Sequence, residues 1–309
     1  MLVPTFAVER PEDFLYLEAS EGKESRGIGL HRVSTQDISD LKEVEYRLSR
    51  KIKNTATQKF ENRGYIGKIK WDQAIHLNLL QGQSTPSLAD MREGLYLARR
   101  GITNNIPVYD CKGDKIPKEK LGAFLSEVTE ASPSWRAEHI DAKFEKEDNQ
   151  LFIAYGHRMQ AGNLIPLKRE PLQPCLMQDK IPGISLEDWL SRATPQGLPP
   201  ADAHTGQFYY WFPRAKSVAR FRADSGGVDL YCYGGRRVSF AALGVRSMIS
   251  AAGAQKFLDE NQETPKQEII TLTTQTSPSL EQILETADPF IAEKLKEEFR
   301  KAIQKLYSQ

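Results

Sequence analysis

Three cysteines in 309 residues, at Cys111, Cys175 and Cys232, are too few and too far apart for a disulfide scaffold or a CxxC metal knuckle. Each reads as a small buried hydrophobe. The five histidines, His31, His76, His139, His157 and His204, form no HExxH pair and stand at no zinc spacing with cysteine. Phosphate loops are missing as well: Gly226-Gly227 and Gly234-Gly235 read as turns, not as GxGxxG or GxxxxGK. Ser239 and Ser247 lack the GxSxG surroundings of a hydrolase nucleophile. The adjacent Glu187 and Asp188 suit a helix start better than an acid and base pair. The expectation is therefore a protein with no cofactor, no metal and no catalytic activity. No segment approaches the roughly 20 apolar residues of a membrane span. The opening MLVPTFAVERPEDF has early acidic residues and no basic leader, which speaks against a classical signal peptide and leaves the location open.

Excess charge of one sign is also lacking. Lys and Arg number 42 against 41 Asp and Glu, so the global field is weak and the chain is not built to coat nucleic acid with its whole surface. A local basic patch remains open. At 39% hydrophobic residues the chain can bury a substantial core, which excludes wholesale disorder.

What is present is organised along the chain. Residues 2–50 read as irregular with one or two strands. From Trp71, the positions Ala74, Ile75, Asn78 and Leu79 recur at helical spacing until Gly82 to Pro86 break the run. A second helix follows, with Ser84 or Thr85 as cap, Leu88, Met91, Leu95 and Ala98 on its apolar face, and Gly101 at its close. Pro117 leads into a third helix with Leu121, Phe124, Leu125 and Val128 buried. Ile140–Glu145 and Leu151–Tyr155 alternate about a polar turn and predict a hairpin. The next thirty residues are proline-rich and show little periodicity, ending in a short helix capped by Ser185 with Asp188 as partner. Near the end, a threonine-rich stretch carries a possible strand at Ile269, Ile270 and Leu272. A final helix has a stripe of Ile291, Leu295, Phe299, Ile303 and Leu306, which either docks on the same chain or joins an oligomer.

The segment from Tyr209 to Arg246 differs in character. FYYWF, SVARFR, VDLYCY and LGVRSMI read as short strands punctuated by glycine pairs. In VDLYCY, Val228, Leu230 and Cys232 point one way while Asp229, Tyr231 and Tyr233 point the other. Interleaved with the aromatics are Arg214, Lys216, Arg220, Arg222, Arg236, Arg237 and Arg246. Tyrosine, tryptophan and arginine dominate binding surfaces, because each gives a wide, stiff contact area with a hydrogen-bonding end. The expected partner is a protein or cell-surface ligand. The alternative is a nucleic-acid-binding module in which arginines hold phosphates and aromatics stack bases.

The run YYWFPRAKSVARFRADSGGVDLYCYGGRRVSFAALGVRSMI resembles the C-terminal portion of C-type lectin-fold variable proteins of diversity-generating retroelements, the archaeal kind included. KWDQAIHLNLLQGQSTPSLADMREGLYLA is similar to the paired helices of that fold, and SPSWRAEHIDAKF to an inserted strand pair. The resemblance implies an α+β, C-type lectin-like fold with additional N-terminal and C-terminal elements. It implies three parts: an N-terminal segment 1–64 packed on the main domain, the lectin-like domain 65–255 with inserted strands, and a polar connection with an amphipathic helix, 256–309. It further implies a fixed scaffold carrying exposed positions that the gene can diversify. Carried over, the scaffold is Trp211, Ala219, Phe221, Leu230, Cys232, Leu243, Gly244, Val245 and Arg246. The displayed set is Tyr209, Tyr210, Arg214, Lys216, Arg222, Asp229, Tyr231, Tyr233, Arg236, Arg237 and Phe240, with Trp211 supporting it from beneath. The calcium and sugar motifs of other lectin-fold proteins are not found, and only Asp224 and Asp229 offer carboxylates between 209 and 246.

Overall fold

The computed structural model describes residues 3–34 except 7, 21 and 22, residue 37, residues 61–62, and residues 65–251 except 133 and 134. The chain divides into a unit of residues 1–254 and a second of residues 255–309. The expected strand at Ile269 and the expected final helix with Leu295 and Phe299 lie outside the described residues.

In chain order the strands and helices are β1 Phe14–Leu17, β2 Arg26–Arg32, β3 Glu61–Asn62, β4 Ile66–Gly67, α1 Trp71–Leu80, α2 Leu88–Thr103 and α3 Lys118–Thr129. They continue with β5 Arg136–Glu147, β6 Gln150–Gln160, β7 Asn163–Pro171, β8 Lys180–Ile184, α4 Leu186–Arg192, β9 Phe208–Trp211, β10 Ser217–Asp224, β11 Gly227–Gly234 and β12 Leu243–Ser250. The architecture is mixed α+β, as the sequence leads one to expect. A large sheet runs β1-β2-β12-β5-β10-β11-β9-β8, and β6 and β7 extend it as an arm from β5. It is a mixed sheet, because β12 lies parallel to β5 and β9 parallel to β11 while the other pairs are antiparallel. The N-terminal strands β1 and β2 are thus full members of the main sheet.

The helices form where the apolar spacing and caps predict, with three corrections. The cap of α2 is Ser87, not Ser84 or Thr85: its Oγ accepts from Asp90 N at 3.3 Å while the Asp90 carboxylate accepts Ser87 N at 3.2 Å. Gly101 does not end α2, which runs on to Thr103. A Cβ there would come within 2.8 Å of Leu121 and Val108, so this glycine serves close helix packing. Leu125 of α3 is half-buried where full burial is expected, while Leu121, Phe124 and Val128 are buried. Ser185 caps α4 by accepting Asp188 N at 3.3 Å, as the sequence indicates.

The hairpin of β5 and β6 turns on Asp148 and Asn149, both at positive φ, which is the geometry that matches strand twist. A second hairpin was not legible: β7 returns along β6 through Ala161 and Gly162, again both at positive φ. The face of the sheet carrying Ile140, Phe144, Phe221 and Leu230 packs under α2, α3 and α4 in the main core. The opposite face meets α1 through Val245, Ala74 and Leu77, and through Val218, Trp71 and Ile75. Also on that face, Asp141 accepts His157 N at 2.8 Å and holds His157 Nδ1 at 2.5 Å, and the His157 ring meets Trp71 edge-on at 5.0 Å.

An ionic cluster fastens β2 to β12, the last strand of the sheet. Arg246, fully buried, donates to Gly29 O at 2.9 Å, Glu127 Oε2 at 2.9 Å and Glu138 Oε2 at 3.2 Å, and Arg32 donates to Glu127 Oε1 at 2.9 Å. Burial alone would push the Glu127 carboxyl up, but the charges of Arg246 and Arg32 outweigh it and hold the group at about 2.

Candidate ligand-binding face

Alternation along β9, β10 and β11 sorts their side chains onto two faces. Inward go Phe208, Tyr210, Ala219, Phe221, Ala223, Val228, Leu230 and Cys232, all in the main core. The other set is Tyr209 and Trp211 from β9, Arg220 and Arg222 from β10, and Asp229, Tyr231 and Tyr233 from β11. Register makes this set continuous: Tyr231 stands between Trp211 and Arg220, and Asp229 between Tyr209 and Arg222. Residues directly opposite across neighbouring strands touch.

The aromatic rings of this face lie against one another. Tyr231 and Tyr233 have centroids 4.3 Å apart, and Trp211 lies 6.0 Å from Tyr231 and 5.8 Å from Tyr233. Three guanidiniums lie over the tyrosines: Arg222 at 3.8 Å and Arg220 at 5.0 Å from the Tyr231 centroid, and Arg214 at 4.0 Å from that of Tyr233. Two of them are fixed by carboxylates. Arg222 grips Asp229 with two parallel bonds, Nε to Oδ1 at 2.9 Å and Nη2 to Oδ2 at 2.6 Å, and Arg214 Nη2 donates to Asp179 Oδ2 at 2.9 Å.

Arg220 is the exception. It is 5% exposed, yet its Nε and Nη1 have no hydrogen-bond partner. Burial, then the charge of Arg222, push its pKa down. Its neighbour across the strand, His139, is held at about 3 chiefly by burial and is therefore neutral, so it adds no second positive charge. Gly234 leaves the room Arg220 needs: a Cβ there would lie 2.8 Å from Arg220 Nε and Nη2. The indole Nε1 of Trp211 is likewise a buried donor without a partner at hydrogen-bond geometry, though it lies near enough to Asp229 to favour that carboxylate. Burial pushes the Asp229 pKa up in spite of Arg222, and burial with the Tyr233 hydroxyl pushes Tyr231 up to about 12.

Of the displayed set named from the sequence, Arg214, Lys216, Arg236, Arg237 and Phe240 are exposed, and Tyr209, Arg222, Tyr231 and Tyr233 are half-buried. Two assignments are corrected. Tyr210 is fully buried with its hydroxyl donating to Leu176 O at 3.0 Å, because it shares the inward parity of Phe208. Asp229 has the outward parity but is only 8% exposed beneath Arg222. Of the scaffold set, Ala219, Phe221, Leu230, Cys232, Leu243, Gly244, Val245 and Arg246 are buried. Trp211 does not lie beneath the face; it is half-buried within it, beside Tyr231 and Tyr233.

The loop between β11 and β12 borders the face and is tied to the start of α1. Lys68 N donates to Phe240 O at 2.9 Å, Arg236 reaches Asp72 at 3.6 Å and lies 5.7 Å over the Trp71 ring, and Phe240 meets Trp135 edge-on at 4.8 Å. Asp179 was not singled out in the sequence. It positions the face by accepting Phe212 N at 3.1 Å as well as Arg214, and nothing local in the sequence marks a pairing across 35 positions. Arg220 carried a signal, since SVARFR gives it the parity of Arg222.

Chemically the face offers flat rings and cationic donors. Among the described residues no group of three His, Cys, Asp or Glu could hold a metal ion, and no helix is long and apolar enough to cross a membrane. No protein-family model, no curated protein and no solved structure matches this chain.

Proposed function

We propose that this chain is a non-catalytic recognition scaffold of the C-type lectin-like kind, whose face of Tyr209, Trp211, Arg214, Arg222, Tyr231 and Tyr233, bordered by Arg236, Arg237 and Phe240, binds a protein or cell-surface ligand. The observation that carries the reading is the separation across three strands: one parity is packed core, while the other gathers half-exposed aromatics and arginines. Diversification of the exposed positions is part of the proposal.

The test is a pair of libraries displayed on yeast. One is randomised at Tyr209, Arg214, Tyr233, Arg236, Arg237 and Phe240, the other at Ala219, Leu230, Leu243 and Val245. Most members of the first stay folded and yield binders against unrelated proteins, while the second loses folded members. Equal collapse of both refutes the scaffold reading. A near-copy of the DNA encoding residues 209–242 beside a reverse transcriptase gene is the genetic counterpart of the same test.

A further inference from the structure

We infer that the face takes an acidic segment of its protein ligand, one carboxylate of which pairs with Arg220 beside the Tyr231 ring. This deepens the recognition reading and rests on it. Six cations belong to the face and its border, and three of them, Arg214, Arg222 and Arg236, have a carboxylate within reach in Asp179, Asp229 and Asp72. Lys216, Arg220 and Arg237 have none among the described residues, so the face keeps a positive balance.

Arg220 differs from the other two because it is buried. A guanidinium taken out of water without an acceptor is a costly arrangement, and its Nε and Nη1 are both left unmade. The neutral His139 on one side and the Tyr231 ring on the other offer it no counter-charge. Two strands away, the Trp211 Nε1 is a second buried donor, but it lies beside the Asp229 carboxylate and favours its charged form; Tyr231 is the residue that register places between Trp211 and Arg220. Arg220 therefore needs an acceptor with negative charge, and a carboxylate meets a guanidinium fork with two oxygens. Asp229 is nearby but committed, since both of its oxygens are held by Arg222. An acidic peptide also fits the surrounding aromatic rings, which accept the apolar parts of a chain.

The experiment titrates the 15N-labelled full chain with an acetylated, amidated tetraglutamate peptide and follows the Trp211 indole N–H resonance, with tetraglutamine as control. The expected result is saturable movement of that resonance by tetraglutamate alone, weakened about tenfold or more by Arg220→Gln. Because Arg220→Gln can disturb folding, Arg220→Lys is the second variant: it keeps the positive charge and removes the two-pronged fork, and peptide affinity, read from the Trp211 indole N–H and Arg222 Nε–H resonances, falls several-fold. Absence of saturable peptide binding overturns the inference, as does affinity that both variants leave unchanged. Binding of oligothymidylate in preference to the peptide, falling steeply with salt, also overturns it in favour of phosphate. If the peptide fails while the face library stays folded and yields protein binders, the inference falls and the recognition reading stands.

Discussion

Replacing Arg222 by alanine removes one half of a two-bond ion pair and leaves the other half inside the protein. Asp229 is 8% exposed and the Arg222 side chain 27%, so the loss is felt by the carboxylate, which cannot easily turn to water. Stranding one partner of a buried pair costs about 3–5 kcal/mol, and the partial exposure of Arg222 puts Arg222→Ala near about 3. Asp229→Asn keeps an acceptor and lets Arg222 reach solvent, so about 1 kcal/mol is expected. With no charge left to strand, the double variant costs about 2 kcal/mol, where independent effects would sum to about 4. The sign of the pH effect follows from the same geometry. Burial raises the Asp229 pKa, and without Arg222 only the Trp211 indole opposes that rise. The deficit of Arg222→Ala is therefore small below the unfolded aspartate pKa, where the group is protonated in both states. It grows as pH rises through the folded value, because only the unfolded chain ionises freely. Urea unfolding of the four proteins at acidic and neutral pH measures both effects. Additive costs, or a deficit that does not change with pH, refute the account of a buried, charge-compensated pair.

Other outcomes follow from the same packing. Leu230→Ala opens a hole in the main core and costs about 2–5 kcal/mol in denaturant unfolding, while the exposed Arg237→Ala stays within about 0.5 kcal/mol. Glu127 is held at about 2 against an ordinary 4.5, so its stabilising effect is present above pH 4.5 and lost as pH falls towards 2; by linkage this amounts to about 3 kcal/mol. Acid unfolding of Glu127→Gln should lack that step. The three cysteines are free and buried, and burial pushes the thiols of Cys175 and Cys232 up, so a thiol reagent reads almost none in the native protein and three after denaturation.

The parts of the fold that the sequence made legible are those where one strong rule acts alone. Leu88, Met91, Leu95 and Ala98 define one side of a helix whatever surrounds them, and the alternation of Val228, Leu230 and Cys232 assigns them to the core. Reading failed where distant partners decide. Tyr210 looked like its neighbour Tyr209, but the carbonyl of Leu176 satisfies its hydroxyl and makes burial tolerable. Asp229 had the right parity, and only the Arg222 fork shows why it is covered. β7 stayed hidden because it is an edge strand with no core to impose alternation, and because its turn places Ala161, a residue that rarely adopts positive φ, at such an angle. The candidate face was half legible: its tyrosines and exposed arginines stand out by composition, while the buried, unpartnered state of Arg220 depends on Gly234 and His139.

The place of β12 governs the order in which the molecule can assemble. This strand is the last of the described sheet in the chain, yet it lies inside it, hydrogen-bonded to β2 on one side and β5 on the other. During synthesis β2 and the start of β5 must wait, with open edges, for residues that follow them by more than a hundred positions. Such late, long-range pairing slows folding and exposes edges that other chains can join. Arg246 arrives on the same strand and completes the charge cluster of Glu127 and Glu138. Until it does, the buried Glu138 and the half-buried Glu127 lack their main counter-charge, so the final strand of the described sheet acts as a checkpoint: a chain stopped before Leu243 should be captured by chaperones or aggregate.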